Sequence, residues 1–180
     1  MLIDARRSAL LIIDMQERLM PAMAGAEAAT ANAAKLMQAA ERLGVPLLVS
    51  EQYPKGLGRT VAPIAALAPT GAFAEKLTFS CLEDAGWRGR FERLDRRQAV
   101  IAGVEAHVCV LQTALGLKAA GYEPAVVADA TASRKPESRA LALDRLRQNG
   151  VEIVTAEMVL FEWLGRAGTP EFKALSELIR

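Results

Sequence analysis

Three residues of types that support covalent chemistry lie at the ends of short apolar runs. Asp14 and Lys76 are the last residues of two such runs, and Cys109 follows a third. A thiol near the start of a helix faces unpaired backbone N–H groups and the positive end of the helix dipole, which favour the thiolate. A carboxylate can take the proton of a thiol, and an ammonium beside that carboxylate holds it ionised. The three residue types together indicate a cysteine hydrolase.

Each of these residues also has a purely structural interpretation. Cys109 could be a small apolar filler, which is a common use of a free cysteine, and Cys81 is best interpreted that way. Asp14 could cap a following helix, and Lys76 could be a solvated lysine at a strand end. All three structural interpretations would have to hold at once for the chemical one to fail, so the set is stronger than any member.

His107 is a possible partner for the thiol, but its spacing argues against that role. Residues two apart on a helix point about 200° apart, on nearly opposite faces. A cap or a pocket wall is the better interpretation of His107, which leaves a carboxylate as the base. Gly103 suits a tight turn between strand and helix, where backbone N–H groups can face a developing oxyanion.

The chain alternates apolar runs with helical patterns, which predicts an α/β fold with a parallel sheet covered on both faces. The predicted strands are Ser8–Asp14, Val45–Ser50, Ala72–Lys76, Gln98–Gly103, Pro124–Ala128 and Val151–Thr155. The predicted helices are Glu27–Leu43, Leu82–Phe91, Val108–Ala120, Pro136–Asn149, Ala156–Leu164 and a last one from Pro170. Ligands of such sheets bind at the carboxyl ends of the strands, where the three candidate residues lie. The segment Glu51–Ala68 is rich in proline and glycine and is predicted to be a long functional or lid-like loop.

Composition bounds the class of protein. The chain has 180 residues, 52% of them apolar and 24% charged, and its net charge is +1, which together predict one soluble domain over residues 1–180. Arginines between Arg88 and Arg97 are interrupted by acidic residues, so no nucleic-acid partner is predicted. No apolar run approaches the ~20 residues needed to span a bilayer, and no signal peptide is recognisable, so a cytoplasmic location is predicted. One histidine and two distant cysteines are too few for a zinc site, and no metal or other cofactor is predicted.

With these residues identified, the chain resembles the isochorismatase-like cysteine hydrolase family along nearly its whole length. The matching segments are Leu11–Gln16, Ser50–Gly58, Glu75–Ser80, Ile101–Ala114 and Asp129–Arg134. The segments Val159–Gly165 and Pro170–Lys173 resemble the isochorismatase-domain-containing subgroup in particular.

The resemblance implies a three-layer Rossmann-like sandwich with a six-stranded parallel sheet flanked by helices. It also implies a catalytic triad of Asp14 as base, Lys76 as electrostatic partner and Cys109 as nucleophile. A cis peptide between Val104 and Glu105 is implied too, which would turn the N–H of Glu105 toward the same oxyanion as that of Cys109.

The substrate class implied by the resemblance is a small amide, carbamoyl or related C–N compound, cleaved through a Cys thioester. The true isochorismatases of the family lack the cysteine, and its nicotinamidases carry a histidine metal site that this chain lacks. Candidate pocket walls are Gln52, Tyr53, Phe79 and His107. The family commonly forms homo-oligomers, and the apolar stretch Met158–Leu164 is a candidate contact.

Two other functions compete with this one. A nucleotide-binding domain would need a Gly-x-Gly-x-x-Gly turn after the first strand, where this chain has Asp14–Leu19. A non-catalytic binding or scaffold protein that keeps the fold stays open as the alternative.

Overall fold

The computed structural model describes residues 1–179, which form one six-stranded parallel sheet between two layers of helices. The strands are β1 Ser8–Ile13, β2 Leu47–Gln52, β3 Phe73–Lys76, β4 Gln98–Val104, β5 Glu123–Ala132 and β6 Glu152–Val154. Their order across the sheet is β3-β2-β1-β4-β5-β6, and neighbouring strands run parallel throughout. The direction of the strand order reverses between β1 and β4, so this is the switch point at which ligands of open α/β sheets bind. The predicted fold class is confirmed.

Eight α-helices cover the sheet in the described part of the chain. They are α1 Ala26–Leu43, α2 Pro54–Leu57, α3 Ala62–Ala65, α4 Ala85–Glu92, α5 Leu111–Ala119, α6 Pro136–Gln148, α7 Ala156–Leu164 and α8 Pro170–Leu175. Short 3₁₀ turns lie at Met20–Ala22, Cys81–Glu83 and Ser176–Ile179. None of the helices described between residues 1 and 179 combines the length and apolar character of a bilayer-crossing segment.

The central strand β1 is buried on both faces because its residues alternate between two cores. Leu10 and Ile12 join the core formed with α1 and α7. Leu11 and Ile13 join the opposite core, formed with α4, α5 and α6. A strand covered on both faces has an unbroken apolar sequence. The apolar run before Asp14 therefore predicts the central strand β1 well.

The segment Glu51–Ala68 is more structured than a loop. Strand β2 begins after Pro46 and continues through Gln52, and the rest of the segment contains α2 and α3. Each of these two helices has a proline in its first turn, where the missing N–H is not needed. The prediction of a single long loop is therefore wrong, and prolines that indicate a loop here begin short helices instead.

Two elements around Cys109 also differ from the prediction. The helix predicted over Val108–Ala120 begins earlier, as a π-helical turn over Ala106–Val110, and continues as α5. Strand β5 extends well beyond the predicted Pro124–Ala128, because a register shift between Ile101 and Gly103 lets it resume pairing with β4. Irregularities of this kind depend on tertiary packing and leave little pattern in the sequence.

Candidate active site

The site begins at a close approach between the ends of β1 and β4. Ile13 pairs with Gly103 on one side and with Ser50 of β2 on the other. Gly103 has φ +120°, and a Cβ at this position would lie 2.1 Å from the carbonyl oxygen of Ile13. Only glycine fits such a conformation and spacing, so the glycine predicted for a tight turn lets β4 end directly beside Asp14.

The Asp14 carboxylate is completely buried and held by two donors. Lys76 Nζ donates to Oδ2 at 2.7 Å, and the Ser50 hydroxyl donates to Oδ1 at 2.7 Å. The residue adopts φ 49°, and its carbonyl accepts the N–H of Gln16. Its side chain accepts from Ser50 and Lys76 and caps no helix, so the helix-cap interpretation of Asp14 is wrong.

The Lys76 ammonium is buried and fully partnered. Besides Asp14, Nζ donates to Gln52 Oε1 at 2.7 Å and to the carbonyls of Thr78 at 3.2 Å and Phe79 at 3.5 Å. Burial is the largest single influence and by itself would lower the pKa of Lys76, but the charge and hydrogen bond of Asp14 together with the neighbouring Cys81 and Cys109 hold that pKa above its ordinary value. Lys76 is therefore a fixed buried cation and not the solvated strand-end lysine of the alternative interpretation.

The Cys109 thiol lies beside this ion pair with 6% of the residue exposed. Burial is the largest influence on it and raises its pKa, and the neighbouring Asp14 carboxylate raises it further, while Lys76 acts in the opposite direction. The net direction is opposite to the lowering expected from a helix start. The reason is that Cys109 is the fourth residue of a buried π turn, where desolvation and a nearby carboxylate dominate.

The turn before Cys109 is anchored through Glu105. The peptide bond between Val104 and Glu105 is cis. The Glu105 carboxylate accepts the backbone N–H of Arg134 at 3.0 Å and its Nε at 3.1 Å. The turn that carries the two proposed oxyanion donors is therefore tied to the end of β5.

The four residues predicted as pocket walls lie in different surroundings. Gln52 contacts Lys76 as described, whereas Tyr53 and Phe79 are 51% and 56% exposed on the adjoining segments. The Nδ1 atom of His107 lies 3.0 Å from the Ser133 hydroxyl. His107 lines a cavity of about 290 Å³ together with Arg134, Lys135 and Ser138, none of which touches the ion pair.

Sequence reasoning missed three residues of the site. Ser50 bonds Asp14, Gln16 bonds the backbone of Gln52, and Cys81 lies close to the ion pair. Burial raises the pKa of Cys81 to about 12, and Asp14 acts in the same direction. Ser50 is the last residue of the predicted strand Val45–Ser50, and this position at a strand end is a usable signal. Cys81 carried none.

Within residues 1–179, no cluster of three or more His, Cys, Asp or Glu side chains is arranged to hold a metal ion. The ionisable groups gathered at the switch point are instead one carboxylate, one ammonium and two neutral thiols. This arrangement can remove a proton from Cys109 and hold a small polarised group beside it.

Comparisons with known proteins agree with the fold. The family model for the isochorismatase domain matches residues 8–158. Isochorismatase domain-containing protein 1 from Salmo salar is 40% identical over 167 residues, covering 93% of this chain, and the match spans 59% of that longer protein. Isochorismatase domain-containing protein 2 from Danio rerio is 37% identical over 179 residues, covering 98% of this chain and 89% of that protein.

A solved structure agrees as well. The structure of MAR1 ribonuclease from Caenorhabditis elegans superposes with a TM-score of 0.93 at 32% identity, covering 99% of this chain and 92% of that one. The match of the domain model over most of the chain, and relatives above 30% identity along nearly its full length, settle the relationship. This chain belongs to the isochorismatase family.

Proposed function

We propose that this protein is a cysteine hydrolase of small amide, carbamoyl or related C–N compounds. Family membership supports a hydrolase. The single observation that carries the finer proposal is the buried ion pair of Asp14 and Lys76, 2.7 Å apart, acting on the Cys109 thiol at the switch point of the sheet.

The raised pKa of Cys109 makes a base necessary. A thiol whose pKa is raised by burial is protonated at neutral pH, so attack requires proton removal in the same step. In the proposed mechanism the Asp14 carboxylate takes that proton as Cys109 Sγ bonds to the carbonyl carbon. The N–H groups of Glu105 and Cys109 hold the oxyanion, and Lys76 keeps Asp14 ionised between cycles.

The remaining steps release the two products and restore the Cys109 thiol. Asp14 returns the proton to the leaving nitrogen as the C–N bond breaks, which releases the amine and leaves a thioester on Cys109. Water, deprotonated by Asp14, then attacks the thioester, and the carboxylic acid leaves as the thiol is restored. Tyr53 and Phe79, exposed on the segments beside the site, are proposed to contact the substrate.

The test measures turnover of a panel of small carboxamides and carbamoyl compounds, detected by the release of ammonia. The wild-type protein is expected to release ammonia from at least one of them, and Cys109→Ala is expected to lose all of that activity. Gln112→Ala, at an exposed position of the same helix, is the matched control and should retain it. Equal turnover by wild type and Cys109→Ala would refute the proposal and favour the non-catalytic alternative.

A further inference from the structure

Two buried glutamines beside the ion pair have no part in the mechanism above. Gln16 is fully buried, and its carboxamide pairs with the backbone of Gln52: Oε1 accepts the Gln52 N–H at 2.8 Å and Nε2 donates to the Gln52 carbonyl at 2.9 Å. Gln16 Nε2 also donates to the carbonyl of Gly58 at 2.8 Å. The backbone of Gln52 is thus fixed from the strand end that carries Asp14.

The side chain of Gln52 is fixed at both ends. Its Nε2 donates to the carbonyl of Leu77 at 2.8 Å, and its Oε1 accepts from Lys76 Nζ at 2.7 Å. A carboxamide has one accepting end and one donating end, so the carbonyl of Leu77 determines that the oxygen faces the ammonium.

An ammonium has three hydrogens, and the partners of Lys76 account for all of them. One goes to Asp14, one to Gln52, and the third lies toward the carbonyls of Thr78 and Phe79. The titratable groups that face Lys76 are Asp14 from β1, Cys81 from the turn after β3, and Cys109 from the π turn. Within the described residues, Asp14 is therefore the one negative group that bonds Nζ, and Gln52 supplies a neutral acceptor.

We propose that Gln52 is a positioning residue of this site, which holds the Lys76 ammonium against Asp14, beside Cys109, without adding a second negative charge. This inference rests on the proposed function. An apolar residue at position 52 would leave one buried N–H of the Lys76 ammonium without a partner, which disfavours the charged form of Lys76. A carboxylate there would satisfy the N–H but disfavour the Cys109 thiolate.

Alkylation of Cys109 by iodoacetamide tests this proposal without knowledge of the substrate. The reagent reacts with the thiolate, so its rate at a fixed pH follows the thiolate fraction, and peptide mass spectrometry separates Cys109 from Cys81. We expect Gln52→Glu to shift the pH–rate curve about one unit to higher pH, which is roughly a tenfold slower reaction at pH 8. Gln52→Leu is expected to shift it in the same direction, because Lys76 then loses its proton more easily.

The matched control is Gln98→Glu, which adds a carboxylate at another buried glutamine, hydrogen-bonded to Asp4 and Ser8 near the opposite end of the sheet. Its curve should coincide with that of the wild type. Unchanged curves in the folded Gln52 variants, or an equal shift in Gln98→Glu, would overturn the proposal. Loss of the fold in both Gln52 variants would also overturn it, because it would assign a structural role alone.

Failure of this inference can be told from failure of the proposed function. Turnover that persists in Cys109→Ala removes the hydrolase mechanism, whatever the alkylation curves show. Turnover that is lost in Cys109→Ala, with alkylation curves unaffected by position 52, removes only the positioning role of Gln52.

Discussion

At the scale of single residues, the site depends on two opposite charges that have been removed from water together. Asp14 and Lys76 are both fully shielded and 2.7 Å apart. A buried pair of this kind contributes little net stability compared with apolar residues, but it makes each partner dependent on the other. In the proposed mechanism, proton transfer from Cys109 relies on that dependence, because a fixed ammonium keeps the carboxylate available as a base.

Removing the cation should therefore be costly. We expect Lys76→Met to lower the free energy of unfolding by about 3–5 kcal/mol at pH 7, because it leaves the Asp14 carboxylate buried and unpaired. Urea unfolding monitored by tryptophan fluorescence measures this change. Lys118→Met, at an exposed position of α5, is the control and should stay within about 0.5 kcal/mol of wild type. If Lys76→Met lost as little stability as Lys118→Met, the result would contradict the burial of the ion pair.

The raised pKa of Lys76 fixes the sign of its pH dependence. A group whose pKa is higher in the folded protein stabilises the fold fully below its unfolded value, near 10.4, and this contribution disappears as the pH rises through the folded value. We expect the stability difference between wild type and Lys76→Met to be constant from about pH 7 to 9 and to narrow above about pH 10.4. A difference that widens at high pH would contradict the direction of the shift.

The identities of the candidate residues could be predicted from sequence, but their states could not. Asp14, Lys76 and Cys109 are found at strand ends or strand–helix junctions because those positions meet at one edge of a parallel sheet. The pKa of the thiol depends on how deeply the π turn buries it and on how close Asp14 lies, and neither quantity is visible in spacing. For the same reason, the sequence predicts Gln52 as a pocket wall and does not show that its side chain bonds Lys76.

At the scale of elements, the pairing of β1 with β4 requires Gly103. Gly103→Ala would place a methyl group 2.1 Å from the carbonyl oxygen of Ile13 at a φ of +120°. We expect it to cost about 3 kcal/mol or more in the free energy of unfolding, since overpacking and backbone strain add. Gly121→Ala is the matched control, because Gly121 also has positive φ but has open space around its Cβ position. Its cost should be about 1 kcal/mol; equal costs in denaturant titration would count against the steric argument.

The segment that contains α2 and α3 is held to β2 by Glu51. The buried Glu51 carboxylate accepts the N–H and hydroxyl of Thr60 and the guanidinium of Arg59 at 2.7–2.9 Å. Burial alone would raise the pKa of Glu51, but the bonds from Arg59 and Thr60 outweigh it and lower that pKa. This contribution to stability is present above the ordinary value near 4.3 and is lost as the pH falls through the folded value.

Replacing this carboxyl should change the acid side of the stability curve. We expect Glu51→Gln to lose about 1–3 kcal/mol at pH 7 and to lose less additional stability than wild type on acidification below about pH 4. Glu75→Gln is the control, because Glu75 also bonds Arg59 but is largely exposed. Unfolding by urea at a series of pH values compares the three proteins. If acidification lowered the free energy of unfolding equally in wild type and Glu51→Gln, the result would refute the lowered pKa of Glu51.

Regular elements could be predicted closely, and irregular ones could not. Helix α1 begins and ends within a residue of its prediction because its apolar spacing and the glycine after it are both local signals. The π turn before α5 and the extension of β5 result from packing between distant segments. Asp129 is a residue typical of turns, yet the strand continues past it, and Thr131 and Ala132 pair with the end of β4 after the register shift.

At the scale of the whole molecule, the six-stranded parallel sheet covered by helices on both faces agrees with the expectation from the sequence, and the surface adds a further expectation. Met158 and Phe161 on α7 are each 45% exposed, and the ring of Phe161 lies 6.4 Å from that of Phe172. Apolar side chains exposed together on one helix face are a common feature of contact surfaces. We propose that this face joins copies of the chain into a dimer or a larger assembly.

Charge placed on that face should separate the copies. We expect the wild-type protein to have the mass of a dimer or larger assembly in light scattering after size-exclusion chromatography, and Phe161→Asp to shift it toward the monomer, because a buried unpaired carboxylate strongly disfavours an interface. Leu141→Asp is the matched control, since Leu141 is 71% exposed on α6 and away from this face. It should keep the wild-type mass. A monomeric wild type, or the same mass for Phe161→Asp as for wild type, would show that α7 is not the contact, and a shift in both variants would point to a wider surface that includes α6.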